Sequence, residues 1–129
     1  MERSGFEKRP DYRVDILARR NRVTASVDDQ VLADSARCLV VDEQDHGLVF
    51  YFPPSDVRLE LLSPDDRTSY CPYKGTATYR RYRGAAVEVL AWCYEEPYPE
   101  VARLAGHLAF FQDVVLLRVG GADPAVSVR

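Results

Sequence analysis

The chain lacks any long hydrophobic run. No segment of its 129 residues approaches the about 18 consecutive apolar residues that a membrane-spanning helix needs. Residues 1–5 lead into charged sequence, where a secretory signal peptide would carry an apolar core. We therefore expect a soluble, cytoplasmic protein that does not associate with membranes.

Cysteine and histidine are scarce. Cys38, Cys71 and Cys93 are an odd number of cysteines without close spacing, which argues against a disulfide framework and fits a reducing compartment. Zinc sites are usually built from pairs of closely spaced cysteines or histidines. The soft ligands here, which also include His46 and His107, are far apart in the sequence, so we expect no metal.

Net positive charge is also absent. The chain has 17 basic and 20 acidic residues, for a formal charge of −3, and so has no overall field that would attract nucleic acid. The local exception is residues 79–83, where arginines and tyrosines interleave as they do on single-strand binding surfaces. A strand that enters a turn at Gly84 explains the same pattern, and we expect no nucleic-acid partner.

The composition is that of an ordinary globular domain, with 47% hydrophobic and 29% charged residues. We expect a single domain over residues 1–129, with a core at about 12–119 and extensions at 1–11 and 120–129. Apolar residues recur mainly with a period of two, which predicts a mainly β, antiparallel fold with one or two short helices. The oligomeric state does not follow from the sequence.

The alternation places the individual elements. Strands are predicted at 14–17, 23–27, 36–41, 48–52, 76–82 and 86–94, with one or two more in 107–119 broken near Gln112 and Asp113. A loop is predicted at 63–66, and a short helix at 100–105 after Pro99. Residues 57–62 fit either a helical turn or a strand.

Lysine is rare, because Lys8 and Lys74 are accompanied by fifteen arginines among the 17 basic residues. Lys74 lies in the segment Cys71-Pro72-Tyr73-Lys74-Gly75, whose proline and glycine favour a tight turn that could hold thiol and amine together. Either group could then act as a nucleophile or proton carrier, so Lys74 and Cys71 are candidate catalytic residues. The alternative is that Cys71 packs under the turn and Lys74 pairs with a surface carboxylate.

Glu43 is the third candidate catalytic residue. It ends an otherwise apolar strand, where a charge is costly unless it is paired, so we predict that it pairs with Lys74. The alternative is a strand-end glutamate in water. A hairpin loop with an even residue count would put Glu43 on the same face as Phe50, whereas a three-residue loop or a bulge would bring it beside Tyr51.

Four aromatic side chains are candidate ligand-binding residues. Trp92 and Tyr94 lie two positions apart on a predicted strand and so share a face, which could form a flat wall for a planar or apolar ligand. Tyr51 and Tyr79 bring hydroxyls that need partners in a polar cleft. Core packing would explain the same pattern.

The order of several short motifs carries a resemblance to a known family. The motifs are Leu32-Ala33-Asp34-Ser35, Glu43, Tyr51-Phe52-Pro53, Asp56-Val57, Cys71-Pro72-Tyr73-Lys74-Gly75, Tyr79, Ala91-Trp92-Cys93-Tyr94, Pro97 and Ala109-Phe110-Phe111. With these, residues 12–119 resemble domain-of-unknown-function family 427, also labelled nucleotidyltransferase family 9. The resemblance implies a β-tent fold, in which two sheets of a small antiparallel domain lean together over a cleft. It implies no established reaction and leaves any cofactor unknown.

Nucleotidyl transfer itself finds little support in the residues. Metal-assisted transfer needs paired carboxylates to hold magnesium and a loop to cradle phosphates. The chain has no Gly-x-x-x-x-Gly-Lys loop and no Asp-x-Asp pair, and Asp45 is better explained as part of a hairpin turn. The sequence therefore argues against nucleotidyl transfer.

Two classes of function remain. In the first, Glu43 and Lys74 form the floor of an aromatic small-molecule cleft, with or without catalysis, and Cys71 lies beside it. In the second, the chain is a non-catalytic interaction or accessory module whose motif residues brace the sheets.

Overall fold

The computed structural model describes residues 3–83 and 89–120. Within these ranges the chain forms ten strands: β1 (Val14–Ala18), β2 (Val23–Val27), β3 (Gln30–Ser35), β4 (Leu39–Glu43), β5 (Val49–Tyr51), β6 (Leu62–Cys71), β7 (Gly75–Tyr82), β8 (Val89–Cys93), β9 (Leu108–Phe110) and β10 (Leu116–Val119). Short 3-10 helices lie at Gly5–Glu7, Pro54–Asp56, Leu59–Leu61 and Pro99–Leu104. No helix in the described part of the chain has the length and apolar character needed to cross a membrane.

The strands pair antiparallel throughout, in the orders β1-β4-β5, β10-β2-β3 and β6-β7-β8-β9. The predicted mainly β, antiparallel fold is confirmed, although the ladders form three sheets where the resemblance implies two. The first and third sheets meet where Phe52 and Leu108 exchange backbone hydrogen bonds of 2.7 and 2.9 Å. This bridge places β5 beside β9, so the two sheets share a common inner side.

That inner side holds one of two hydrophobic cores. Residues of β4 and β5 meet residues of β7, β8 and β9 there, and the helix Pro99–Leu104 closes the core with Val101 and Leu104. The buried members are Leu39, Val41, Tyr51, Ala77, Tyr94, Val101, Leu104 and Ala109. Because alternate residues of a strand point to opposite faces, their strand neighbours Phe50, Leu108 and Phe110 face the other core.

The second core lies between the outer side of β8 and β9 and the sheet β10-β2-β3. It contains Phe52 with Phe110 in an edge-to-face contact, at a centroid distance of 5.4 Å, and Leu32 of β3. The outer core therefore holds the sheets together, whereas the inner side carries polar residues next to its own core.

Strand β3 was missing from the sequence prediction. β3 pairs with β2 through a two-residue loop, in which Asp28 and Asp29 have φ angles of 48° and 66°. Positive φ at both central positions is the type I′ hairpin, which matches the twist of the flanking strands. The predicted turn at this pair is present, and the hairpin it makes continues into β3.

The predicted loop at 63–66 is wrong, because these residues belong to β6. Pro64 suggested a loop, but β6 is the edge of its sheet, where the missing N–H of a proline costs no ladder bond. A register shift between Asp65 and Thr68 absorbs the remaining turn-like residues as a bulge.

The other elements agree closely with the pattern. Segment 57–62 resolves into the 3-10 helix Leu59–Leu61 followed by the start of β6, and the predicted helix at 100–105 is the 3-10 helix Pro99–Leu104. The apolar segment 107–119 forms β9 and β10, with the break where it was predicted. Residues 84–88, which include the predicted turn at Gly84 and the first three residues of the strand predicted at 86–94, and all of 121–129 lie outside the described residues.

Candidate functional site

Glu43 and Lys74 form an ion pair on the inner side of the fold. The Lys74 ammonium donates a hydrogen bond to Oε1 of Glu43, and the two side chains are only 7% and 12% exposed. The pairing predicted from the sequence is present, and it is buried rather than on the surface. A buried charge pair is strongly coupled, because removing either member leaves the other uncompensated.

The turn between β6 and β7 positions Lys74. Cys71 pairs with Gly75 at the end of the ladder, so residues 72–74 form the connection. Gly75 has a φ of +110°, a conformation that side-chain-bearing residues rarely adopt. The carbonyl of Lys74 accepts a 3.1 Å bond from the Tyr98 amide, which ties the turn to the segment before the helix Pro99–Leu104.

The β4–β5 hairpin positions Glu43. Val41 pairs with Val49, so an odd number of residues, 42–48, lies between these partners. Asp45 within this connection has a φ of 64°. Glu43 therefore lies on the face of Val41 and Tyr51, which decides the question that the sequence left open.

Tyr12 is a site residue that the sequence prediction missed. Its hydroxyl donates a 2.5 Å hydrogen bond to Oε2 of Glu43, and its ring stacks on Tyr73 at 3.7 Å with an interplanar angle of 7°. Tyr12 reaches Glu43 because β1 pairs with β4, with Val14 opposite Glu43. No sequence signal placed Tyr12 beside Glu43, because the contact depends on which strands are neighbours in the sheet.

The charges of the pair are set by these contacts. Burial alone would raise the pKa of Glu43, but the hydrogen bonds from Lys74 and Tyr12 outweigh it and hold that pKa below its usual value. The hydrogen bond to Glu43 is the main reason that the pKa of Tyr12 rises to about 12. At neutral pH Glu43 is therefore a carboxylate and Tyr12 a phenol.

A pocket of about 160 Å³ opens beside the ion pair. Its polar lining is Glu43, His46, Tyr51, Lys74, Trp92 and Tyr94, with Val41, Gly47 and Val49 completing the wall. The Trp92 indole donates a 3.1 Å bond to the Tyr51 hydroxyl, and the two rings meet edge to face. We refer to this space as the ion-pair pocket.

The two tyrosines of the ion-pair pocket are neutral phenols. Burial raises the pKa of Tyr51 and of Tyr94 above the ordinary value of 10.0. The Tyr94 side chain is 8% exposed, and its hydroxyl forms no hydrogen bond with another residue of the described ranges. Both hydroxyls therefore keep their protons at neutral pH.

Five of the seven predicted site residues line this pocket, and two do not. Cys71 packs, partly buried, against the inner core that contains Tyr51 and Tyr94. Tyr79 hydrogen-bonds through its hydroxyl to Ser69 at 2.5 Å and lines a neighbouring groove. The geometry thus groups Lys74, rather than Cys71, with the aromatic residues.

The remaining cysteines are buried thiols. Cys38 and Cys93 are free, and burial raises the pKa of each to about 11. Residues 3–83 and 89–120 contain no group of three His, Cys, Asp or Glu side chains arranged to hold a metal ion.

Acid should destabilise the protein in part through Glu43. Its pKa is lowered on folding, so its contribution to stability is fully present above its ordinary pKa of 4.5 and is lost as the pH falls through the folded value. The free energy of unfolding, measured in urea from pH 7 to pH 3, should therefore fall more steeply for the wild type than for Glu43→Gln. Asp34, Asp56 and Asp65 also have lowered pKa values and act equally in both proteins. Parallel curves below pH 4.5 would contradict the expectation.

Fold and pocket together define a class: a small antiparallel β protein with a buried Glu–Lys pair on the inner side of its sheets, next to aromatic side chains. The chain belongs to the family described as a domain of unknown function, DUF427, which matches residues 15–120. No curated protein is similar enough to the chain to count as a relative.

Proposed function

We propose that the chain binds a small molecule by inserting one hydrogen-bond acceptor group of it, a carbonyl or carboxylate, into the ion-pair pocket. The observation that carries this proposal is an excess of donors in the pocket lining. Three groups there each keep at least one proton for which the described residues supply no hydrogen-bond acceptor.

The donors can be assigned one by one. The ammonium of Lys74 has three N–H groups, and one of them is used by Glu43. The Tyr51 hydroxyl accepts from Trp92 and so keeps its own proton to donate. The Tyr94 hydroxyl is unpaired within the described residues. These groups reach the space of the pocket, so a ligand oxygen placed there would accept hydrogen bonds that the described residues do not supply.

The volume of the pocket limits what can enter. About 160 Å³ corresponds to roughly five water molecules, whereas sites for whole drug-sized ligands span about 300–1,000 Å³. The pocket therefore suits the polar end of a molecule. His46, whose side chain is 60% exposed, stands at its edge, 3.8 Å from Oε2 of Glu43.

The same arrangement would serve an enzyme that acts on carbonyl compounds. The Lys74 ammonium and the Tyr94 hydroxyl would stabilise negative charge that develops on a bound carbonyl oxygen. Glu43, itself held by Tyr12, would position the Lys74 ammonium for this role. Binding is the part of the proposal that the geometry supports most directly.

Tyr94→Phe tests the proposal because it removes one unpaired hydroxyl and nothing else. Acetate and acetamide, which carry acceptors with and without charge, serve as probes, with ammonium as a probe that has only donors. The indole N–H resonance of Trp92, the single tryptophan, reports binding in a proton–nitrogen NMR titration. We expect acetate or acetamide to shift it saturably, and Tyr94→Phe to weaken that binding at least about fivefold with an unchanged melting temperature.

Tyr98→Phe is the matched control. Its hydroxyl pairs with that of Tyr70, outside the ion-pair pocket, so the variant should bind the probes like the wild type. Should neither acetate nor acetamide shift the Trp92 resonance, the proposal is wrong, and the hypothesis of a non-catalytic accessory module is favoured. Equal binding by Tyr94→Phe and wild type would also contradict it.

A further inference from the structure

A larger groove adjoins the ion-pair pocket. Its volume is about 680 Å³, and it is lined by Arg67, Thr68, Tyr79, Val89, Phe111, Asp113 and Val114. This volume is within the range of small-molecule sites, which the pocket alone does not reach. We call it the aromatic groove.

Three aromatic rings run from the groove to the pocket. The Phe111 ring lies nearly parallel to the Tyr79 ring, at 6.2 Å and 12°, and tilts against Trp92 at 4.6 Å and 49°. All three side chains are only partly buried. Exposed aromatic faces attract planar rings, because offset stacking adds to the burial of apolar area.

The rings are held in fixed positions before any ligand arrives. Tyr79 and Trp92 are ladder partners on β7 and β8. Ser69 restrains the Tyr79 hydroxyl, and Tyr51 restrains the Trp92 indole. Preorganised side chains lose little conformational entropy on binding, which favours affinity.

Trp92 lies between the two spaces. It lines the ion-pair pocket and contacts Phe111, which lines the aromatic groove. Resting on the function proposed above, we propose that the groove holds the planar ring of the same ligand whose acceptor group enters the pocket. The ligand class is then an aromatic or heteroaromatic compound that carries a carboxylate or carbonyl group.

Charge supports this division of roles. Arg67 in the groove is already bound to Asp65, with Nε to Oδ1 at 2.8 Å, and Asp113 adds a negative charge to the same lining. Arg67, the cation among the described residues of the groove lining, is therefore already paired with a carboxylate. The donors for the acceptor group lie in the pocket, and the groove selects for a flat, apolar ring.

A series of phenyl carboxylates tests the connection between the two spaces. Benzoate, phenylacetate and 3-phenylpropionate place the same ring at increasing distance from the same carboxylate. Acetate lacks the ring, and cyclohexylacetate has a ring of similar size that is not planar. In titrations followed by the Trp92 indole resonance, at least one phenyl compound should bind about tenfold more tightly than acetate and than cyclohexylacetate.

Variants separate the ring site from the acceptor site. Tyr79→Leu and Phe111→Leu should each bring the best phenyl compound to within about twofold of acetate, while acetate binding stays unchanged. Tyr79→Phe keeps the ring and loses only the hydroxyl's bond to Ser69, so it should retain most of the preference for the phenyl compound over acetate. Melting temperatures identify any variant that fails to fold, and the other leucine variant then decides.

The outcomes distinguish the two proposals. If acetate binds and no phenyl compound binds more tightly, the groove proposal is wrong and the pocket proposal stands. Unchanged phenyl affinity in both leucine variants also overturns it. If neither acetate nor any phenyl compound shifts the resonance, both proposals are wrong.

Discussion

Lys74→Met is expected to lower the free energy of unfolding by about 3–5 kcal/mol, the range for breaking a buried ion pair from one side. Methionine keeps most of the apolar stem of the lysine, so the loss would come from the charge. Glu43 would remain in a site that is 12% exposed, with Tyr12 as its hydrogen-bond partner. Urea unfolding at pH 7 measures the change.

The double variant Lys74→Met with Glu43→Gln is the control. It removes both charges, so it should recover a large part of the stability that Lys74→Met loses, because no uncompensated carboxylate remains buried. The coupling energy from the four proteins would then exceed about 1 kcal/mol. Additive losses would show that the two side chains act independently, against the contact seen between them.

Phe52→Ala should cost about 3–5 kcal/mol, for a different reason. Phe52 is fully buried, and its side chain packs edge to face on Phe110 in the outer core. Its backbone bridges to Leu108, at the one point where β5 continues beside β9. Alanine would leave a cavity at the joint between the two sheets, and urea unfolding again gives the size of the loss.

Phe50→Ala is the matched substitution. Phe50 lies two residues earlier, on the same face of the chain, but is only partly buried, so it should lose less. Equal losses of the free energy of unfolding would contradict the expectation that the fully buried position of Phe52 between the two sheets makes its substitution more costly. Because Phe52 faces away from the ion-pair pocket, Phe52→Ala should still bind the acetate probe wherever it remains folded.

The Glu43–Lys74 pair could be predicted because each residue is unusual in its own stretch of sequence. A charged residue that ends an apolar strand needs a partner, and the chain has a second unusual charge in Lys74. The shared face of Glu43 and Tyr51 could not be predicted, since it depends on one residue of hairpin loop length. The sequence allowed both registers. In the register that formed, Asp45 in the connection adopts a positive φ.

Tyr12 and Tyr79 show where sequence reasoning ends. Tyr12 meets Glu43 only because β1 and β4 are neighbours, and strand order is a tertiary property that alternation does not reveal. Tyr79 is the ladder partner of Trp92, but the ion-pair pocket and the aromatic groove have different linings, and packing decides which residue lines which. Pro64 misled for the same reason, since an edge strand tolerates it and a central one does not.

The stacked pair of Tyr12 and Tyr73 has a consequence for comparing members of this family. The family match begins at residue 15, so Tyr12, which donates to Oε2 of Glu43, precedes the matched segment. Because the Tyr12 hydrogen bond helps to lower the pKa of Glu43, the acidity of this carboxyl group depends in part on a residue that a comparison of the matched segment does not include.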